Sequence, residues 1–244
     1  MPGGRDATVG LSAGGTDLPR DRSRRNSMMS KQETLASLRE SGVVAIIRTE
    51  NPKDLAGVAR ALSAGGVRFV EITMTVPGAL EIIRDAVAAL RGTDVAIGAG
   101  TVLDASTARQ AILAGARFIV SPGFDQETVT LCSLYGTIAV PGAFTPNEII
   151  TAWKGGADVA KVFPADMGGP DYLKTIKEPL PQVELLPTRG IDFETAGAYI
   201  KAGAIAVGAG GSLVSKALMA AGDYARITAN AEKMVGIVRA ARAG

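Results

Sequence analysis

Short apolar segments alternate with amphipathic helical patterns along the chain from Lys31 onward. Each apolar segment is nearly continuous, which predicts a strand that is buried on both faces of a parallel sheet. Eight strands are predicted: Val43–Arg48, Arg68–Met74, Asp94–Ala99, Phe118–Ser121, Thr137–Pro141, Val159–Phe163, Val183–Pro187 and Ala204–Gly208. Helices are predicted around them: Lys31–Glu40, Pro52–Ala64, Pro77–Leu90, Ser106–Ala114, Gln126–Tyr135, Pro146–Trp153, Asp171–Ile176 and Phe193–Ala202, with further helix from about Ser212.

Eight strand–helix units in 244 residues predict an α/β fold, a single (β/α)8 TIM barrel with an additional N-terminal helix. A dinucleotide-binding sheet is disfavoured because no Gly-x-Gly-x-x-Gly follows the first strand. The first part of the chain is rich in Gly, Ser, Asp and Arg and has no apolar periodicity. We therefore predict a disordered tail over residues 1–30 and the barrel domain over residues 31–244.

Composition then limits the chemistry. The formal net charge of +2 does not indicate a nucleic-acid partner, and no apolar run approaches the ~20 residues that span a membrane. Cys132 is the only cysteine, so an internal disulfide is excluded and a cytoplasmic location is predicted. The sequence has no histidine, which removes Ser-His and Cys-His nucleophiles and the commonest zinc ligand. Acid–base chemistry must fall to Glu, Asp, Lys or Tyr.

Two charged residues lie inside predicted strands. Lys161 interrupts the apolar segment Val159–Phe163, and Glu71 interrupts Arg68–Met74. A buried lysine tends to lose its proton and become a nucleophilic amine, and burial raises the pKa of a carboxyl group. Amines of this kind form Schiff bases with ketones. The alternatives are an edge-strand lysine that reaches solvent, or a structural Glu71–Lys161 ion pair without catalysis.

In a barrel of this type the active site lies at the C-terminal ends of the strands. The polar residues within or just after the predicted strands are Arg48, Glu71, Thr73, Thr75, Thr101, Ser121, Thr145, Lys161, Thr188 and Ser212. Phosphate is often bound by the last two loops of such barrels. Here these loops read Pro187-Thr-Arg-Gly190 and Gly208-Ala-Gly-Gly-Ser212, and the second is a glycine-rich turn that opens a helix.

Between about Gly42 and Gly236 the chain resembles the bacterial 2-keto-3-deoxy-6-phosphogluconate (KDPG) and 4-hydroxy-2-oxoglutarate (KHG) aldolase family. The matching segments are Glu71-Ile-Thr, Gly98-Ala-Gly-Thr-Val-Leu, Phe118-Ile-Val-Ser-Pro-Gly, Val140-Pro-Gly, Thr145-Pro-Asn-Glu, Lys161-Val-Phe-Pro-Ala, Leu186-Pro-Thr and Gly210-Gly-Ser. The resemblance implies a class I aldolase, a homotrimer without metal or cofactor. It would cleave 2-dehydro-3-deoxy-6-phosphogluconate, in the Entner–Doudoroff pathway, to pyruvate and glyceraldehyde 3-phosphate. It would also cleave 4-hydroxy-2-oxoglutarate to pyruvate and glyoxylate.

By this resemblance Lys161 is the Schiff-base lysine and Glu71 the acid/base. The resemblance also assigns the substrate carboxylate to Thr101. From their positions at the predicted strand ends we add Arg48 and Thr75 to the carboxylate site, and Thr73, Pro122 and Phe163 to the pocket. The phosphate falls to Thr188, Arg189, Gly190, Gly211 and Ser212. The alternatives are an aldolase for 2-dehydro-3-deoxy-6-phosphogalactonate, or a catalytically silent trimeric scaffold.

Two positions depart from the family pattern. Thr75 stands where many members carry an arginine for the substrate carboxylate, and Arg48 is the candidate replacement. Arg189 replaces the first glycine of the usual Pro-Thr-Gly-Gly loop, where a positive φ is expected. Three outcomes stay open for its side chain: a phosphate contact, a solvent-facing position, or a filled pocket that favours unphosphorylated substrates.

Overall fold

The computed structural model describes residues 29–49 and 54–244. Its strands are β1 Val43–Ile47, β2 Phe69–Thr73, β3 Ala96–Gly100, β4 Phe118–Val120, β5 Ile138–Val140, β6 Gly142–Ala143, β7 Ala160–Val162, β8 Leu185–Pro187 and β9 Val207–Ala209. Its helices are α1 Lys31–Ser41, α2 Leu55–Ala64, α3 Ala79–Ala89, α4 Ala105–Leu113, α5 Gln126–Leu134, α6 Pro146–Lys154, α7 Gly169–Lys177, α8 Ala196–Lys201, α9 Lys216–Ala221 and α10 Tyr224–Ala243.

All strand pairs are parallel and together they close a barrel. One sheet runs β5-β4-β3-β2-β1-β9 and the other β6-β7-β8. β5 and β6 are one strand interrupted at Pro141, whose carbonyl accepts a 2.9 Å hydrogen bond from the Lys161 amide. A bridge between Thr188 and Gly208 joins β8 to β9. The predicted (β/α)8 barrel with an additional N-terminal helix is confirmed.

The bounds of the eight predicted strands, and of the helices before α9 whose two ends the structure describes, lie within three residues of the observed ones, whereas the helix predicted from about Ser212 begins at Lys216. The fifth strand continues past its predicted end at Pro141, because a proline loses only its N–H donor and its carbonyl still pairs. The helix predicted from Phe193 begins at Ala196, since Asp192 Oδ1 accepts from the amides of Glu194 and Thr195 and forms a turn there.

Helix α1 covers the N-terminal end of the barrel. Ser30 caps it in a capping box with Glu33, and Leu38 packs on the inner apolar layer that includes Phe69 and Phe118. Arg117 donates to the Met29 carbonyl and to Thr34 Oγ1. The predicted tail, apart from residues 29 and 30, lies outside the described residues. Because helix α1 closes this end, the open mouth of the barrel is at the other end, where the polar residues lie at the C-terminal ends of the strands.

No helix in the described part of the chain is both long and apolar enough to cross a membrane.

Candidate active site

Glu71 and Lys161 point into the barrel. Successive side chains of a strand face opposite sides of a sheet. Phe69 and Val159 belong to the inner apolar layer, whereas Val70 and Ala160 belong to the larger core outside the barrel. Glu71 and Lys161 lie two residues after the inner pair, so they form the next layer toward the mouth.

Lys161 is only 6% exposed, and its Nζ lies 4.7 Å from the centroid of the Phe163 ring. Burial lowers the pKa of this amine, because an ammonium loses its hydration there. The charge of Glu71 opposes this shift, and that of Arg48 adds to it. Burial prevails, so a larger fraction of Lys161 is the neutral amine than in an exposed lysine.

Glu71 is 3% exposed, and burial raises the pKa of its carboxyl group. The positive charges of Lys161 and then Arg48 oppose that rise. Within residues 29–49 and 54–244, the ion pairs closer than 4.0 Å do not include Glu71 with Lys161. The two groups interact at longer range, which leaves space between them rather than a closed structural pair.

Gly100 makes room for the Glu71 carboxylate. A Cβ added to Gly100 would lie 1.8 Å from Glu71 Oε1, a distance that no pair of non-bonded atoms tolerates. The carboxylate therefore rests against the bare backbone of β3. At Gly98, one layer deeper, an added Cβ would instead lie 2.4 Å from the Phe118 ring. The two glycines thus accommodate different neighbours.

A cavity of about 420 Å³ opens above this layer, at the ends of β1, β7, β8 and β9. Its lining includes six of the predicted site residues: Arg48, Phe163, Thr188, Arg189, Gly190 and Gly211. It also includes Gly208 and Gly210 of the predicted glycine-rich loop, and four residues that the sequence analysis missed: Ile46, Ile191, Val214 and Lys216. Lys216 is the first residue of α9. Its position at the start of the first helix after the glycine-rich loop is the sequence signal that could have identified it.

Arg189 has the positive φ that the sequence analysis expected, +80°, and Gly190 follows at +70°. Its side chain is largely exposed, and its Nε lies 2.9 Å from Asp166 Oδ2. Ser212 lies on the same loop system but does not line the cavity, and its Oγ donates to the Ile191 carbonyl at 3.0 Å.

The remaining predicted residues lie on the other side of the mouth, at or just after the ends of β2, β3 and β4. Thr73 is buried and Thr75 exposed, and their Oγ1 atoms are 2.8 Å apart. Thr101 is partly exposed, with a φ of +57°, and Pro122 is exposed. The structure therefore divides the mouth into a threonine-rich side and a side with the cavity, with Lys161 and Glu71 below them. The roles of these residues stay predictions.

Outside this mouth, the described residues offer neither a metal site nor a cavity lined by Lys161 or Glu71. In the described part of the chain, no group of three or more His, Cys, Asp or Glu side chains could hold a metal ion. A larger and more open cavity of about 670 Å³ lies at the opposite end of the barrel, against α1, α8 and α10. Lys161 and Glu71 do not line this cavity.

Residues 35–230 match the family model described as KDPG and KHG aldolase. The 2-dehydro-3-deoxy-phosphogluconate aldolase of Treponema pallidum is 36% identical over 199 residues, 80% of this chain and 93% of that protein. The KHG/KDPG aldolase of Escherichia coli is 34% identical over 195 residues, 79% of this chain and 90% of that protein.

A solved structure is similar over most of its length. It is the KDPG aldolase of Legionella pneumophila with pyruvate captured at low pH as a covalent carbinolamine, with a TM-score of 0.76 and 28% identity. The match covers 82% of this chain and 97% of that one. The barrel, the buried lysine and glutamate at its mouth, and these matches lead to one conclusion: this chain belongs to the KDPG and KHG aldolase family, whose members are lyases.

Proposed function

We propose that the chain is a class I aldolase that cleaves 2-dehydro-3-deoxy-6-phosphogluconate to pyruvate and glyceraldehyde 3-phosphate. We propose 4-hydroxy-2-oxoglutarate, cleaved to pyruvate and glyoxylate, as a second substrate. The observation that carries the proposal is the placement of Lys161 and Glu71 in one buried layer without a close ion pair. The lowered pKa of Lys161 suits a nucleophile, and the raised pKa of Glu71 suits a proton carrier.

The first half of the reaction forms the imine. The neutral Lys161 amine attacks the C2 carbonyl carbon of the 2-keto acid, and a proton moves to the carbonyl oxygen to give a carbinolamine. Loss of water then gives a protonated imine. The relative from Legionella, captured as a covalent carbinolamine with pyruvate, supports this order of steps by similarity.

The second half breaks the C3–C4 bond. Glu71, directly or through a water molecule, takes the proton of the C4 hydroxyl group, and the bond electrons move to the protonated imine. The aldehyde leaves and an enamine remains on Lys161. Protonation at C3 and hydrolysis of the imine release pyruvate and regenerate the amine, so the cycle needs no metal and no cofactor.

Substrate binding falls to the two sides of the mouth. We assign the carboxylate to Arg48, at the edge of the cavity, and to Thr101 and Thr75 on the threonine-rich side, because a cation and hydroxyl groups at strand ends can hold an anion beside Lys161. We assign the phosphate to the cavity side, where Thr188, Gly190 and Gly211 line the space. Ser212 is the weaker member of this set, since its hydroxyl already donates to a backbone carbonyl.

Steady-state cleavage tests the proposal. We expect pyruvate from the 6-phosphorylated gluconate substrate and from 4-hydroxy-2-oxoglutarate, with the galactonate epimer as the competing candidate. Absence of pyruvate from all three substrates, with folded protein, would favour the silent scaffold. Light scattering of the purified protein tests the proposed homotrimer, and the cytoplasmic location stays a prediction.

Gly100→Ala should lower the cleavage rate by about 10²-fold, because the new Cβ must displace the Glu71 carboxylate and such displacements cost that much. Lys161 is untouched, so pyruvate should still be trapped on it by borohydride. The measurement is kcat for cleavage beside the trapping yield.

Gly98→Ala is the matched control in the same strand. It meets the Phe118 ring and not the carboxylate, so it should lower stability by roughly 1–3 kcal/mol and leave kcat nearly unchanged. If Gly98→Ala lowers kcat as much as Gly100→Ala does, overpacking of β3 and not displacement of Glu71 is the cause.

The rate of pyruvate trapping should rise with pH, with its midpoint at the lowered pKa of Lys161, and level off above it; that pKa lies below the ordinary 10.5 of a lysine. Imine formation needs the neutral amine, which becomes the main form above that pKa. The Arg48 charge lowers the pKa of Lys161, so Arg48→Met should move the midpoint of the pH profile upward. The midpoint is measured at saturating pyruvate. A midpoint that stays in place or moves downward contradicts the electrostatic role of Arg48.

A further inference from the structure

Asp166 and Arg189 form an ion pair at the edge of the cavity, between the turn after β7 and the loop after β8. Arg189 Nε lies 2.9 Å from Asp166 Oδ2, and the side chains are 63% and 38% exposed. Arg189 and the next residue, Gly190, both line the cavity. The guanidinium charge at this position is therefore shared with a protein carboxylate.

The backbone fixes both partners. The Ala165 amide donates to the Thr188 carbonyl at 3.0 Å, which ties the turn that carries Asp166 to the loop that carries Arg189. Gly190 packs against Asp166 so closely that an added Cβ would lie 2.5 Å from the Asp166 Cβ. The pairing thus follows from the way the two loops are joined, not from a chance meeting of long side chains.

The positive charge around the cavity favours anions, and the negative charge of Asp166 at one edge weakens that preference. Its charged lining residues, Arg48, Arg189 and Lys216, are all cations. A phosphate group there would compete with Asp166 for the Arg189 guanidinium, which binds phosphate through two parallel hydrogen bonds. Exposed ion pairs are weak, so a ligand can displace this one. Breaking the Asp166–Arg189 ion pair still costs free energy, and an unphosphorylated substrate does not have to break it.

We propose that Asp166 determines specificity by acting through Arg189. It holds the guanidinium and so lowers the preference of the enzyme for phosphorylated 2-keto acids over unphosphorylated ones. The inference rests on the proposed function for its substrates.

The test is the ratio of kcat/KM for the 6-phosphorylated substrate to kcat/KM for 4-hydroxy-2-oxoglutarate. Asp166→Asn keeps the size of the side chain and removes its charge, so the ratio should rise about two- to fivefold, the scale of an exposed ion pair. The rise should shrink at high ionic strength. In the Arg189→Gly background, Asp166→Asn should have no effect on the ratio.

Asp94→Asn is the matched control. Asp94 Oδ2 lies 2.9 Å from Arg68 Nε, the same geometry, and Asp94 precedes β3 at the closed end of the barrel. This variant changes the net charge by the same amount and should leave the ratio unchanged. A rise with Asp94→Asn as large as with Asp166→Asn would assign the effect to overall charge and overturn the proposal.

The proposal is also overturned if Asp166→Asn leaves the ratio unchanged or lowers it, or if its effect persists in full without the Arg189 side chain. Calorimetric titration with inorganic phosphate keeps this test separate from the proposed function. Phosphate should bind about two- to fivefold more tightly to Asp166→Asn than to the parent, whether or not either substrate is cleaved. Tighter phosphate binding with no cleavage would contradict the proposed function and support the role of Asp166. Cleavage with unchanged phosphate affinity would support the proposed function and contradict the role of Asp166.

Discussion

Lys161→Met should lower the cleavage rate by ~10⁴-fold or more, because removing a covalent nucleophile leaves only the residual catalysis of binding and positioning. Methionine fills a similar volume in the buried layer and carries no amine. The measurement is kcat/KM for 4-hydroxy-2-oxoglutarate, which avoids the phosphate cavity. Retention of a tenth of the parent rate would contradict the role of Lys161.

The stability of the same variant separates loss of chemistry from loss of fold. The pKa of Lys161 is lowered in the folded protein, so the unfolded chain binds more protons between that pKa and 10.5, and stability rises with pH in this window. At pH values below the lowered pKa, Lys161 is charged in the folded protein and the full cost of burying that charge is present. Lys161→Met removes that cost, so its melting temperature at neutral pH should not fall below that of the parent, and its advantage should diminish toward pH 10.5. An inactive variant that also melts early would leave the kinetic result uninterpreted.

Glu71→Gln should slow cleavage by ~10²–10⁴-fold, the usual effect of removing a positioned acid or base. Proton exchange at C3 of pyruvate should slow with it, since both steps need a proton carrier beside the intermediate that is bound to Lys161. Formation of the imine should suffer less, and borohydride should still trap pyruvate. The measurements are kcat, the rate of deuterium exchange into pyruvate, and the trapping yield.

The amide is the sharpest available comparison because it keeps the size of the carboxylate against Gly100 and removes only its ability to titrate. An unchanged exchange rate would return Glu71 to a structural role. The pKa of Glu71 is raised in the fold, so the folded state binds more protons above the ordinary pKa of a glutamate, and stability falls as pH rises through that range. Glu71→Gln should therefore be more stable than the parent at neutral pH and lose this advantage in acid.

The barrel and its central pair could be predicted from sequence for a physical reason. Buried parallel strands are usually apolar along their whole length, so Lys161 and Glu71 stand out as charged residues within apolar segments. The structure places both in the interior, one layer above Phe69 and Val159. Local patterns of this kind need no knowledge of what packs beside each strand.

Contacts between strands and between loops could not be predicted in the same way. The close approach of Gly100 to the Glu71 carboxylate depends on the register of β2 and β3, in which Glu71 lies opposite Gly98 and not opposite Gly100. Asp166 and Arg189 are 23 residues apart and lie in irregular segments without a periodic pattern. The sequence predicted the positive φ of Arg189 but not its partner, because that partner is set by how two loops join.

The most direct measurement for the central claim is mass spectrometry of the protein after treatment with pyruvate and borohydride. We predict one reduced pyruvyl group per chain, located on the peptide that contains Lys161 and absent from Lys161→Met. A label on another lysine, or a label of equal yield on Lys161→Met, would contradict the claim that this buried lysine forms the Schiff base.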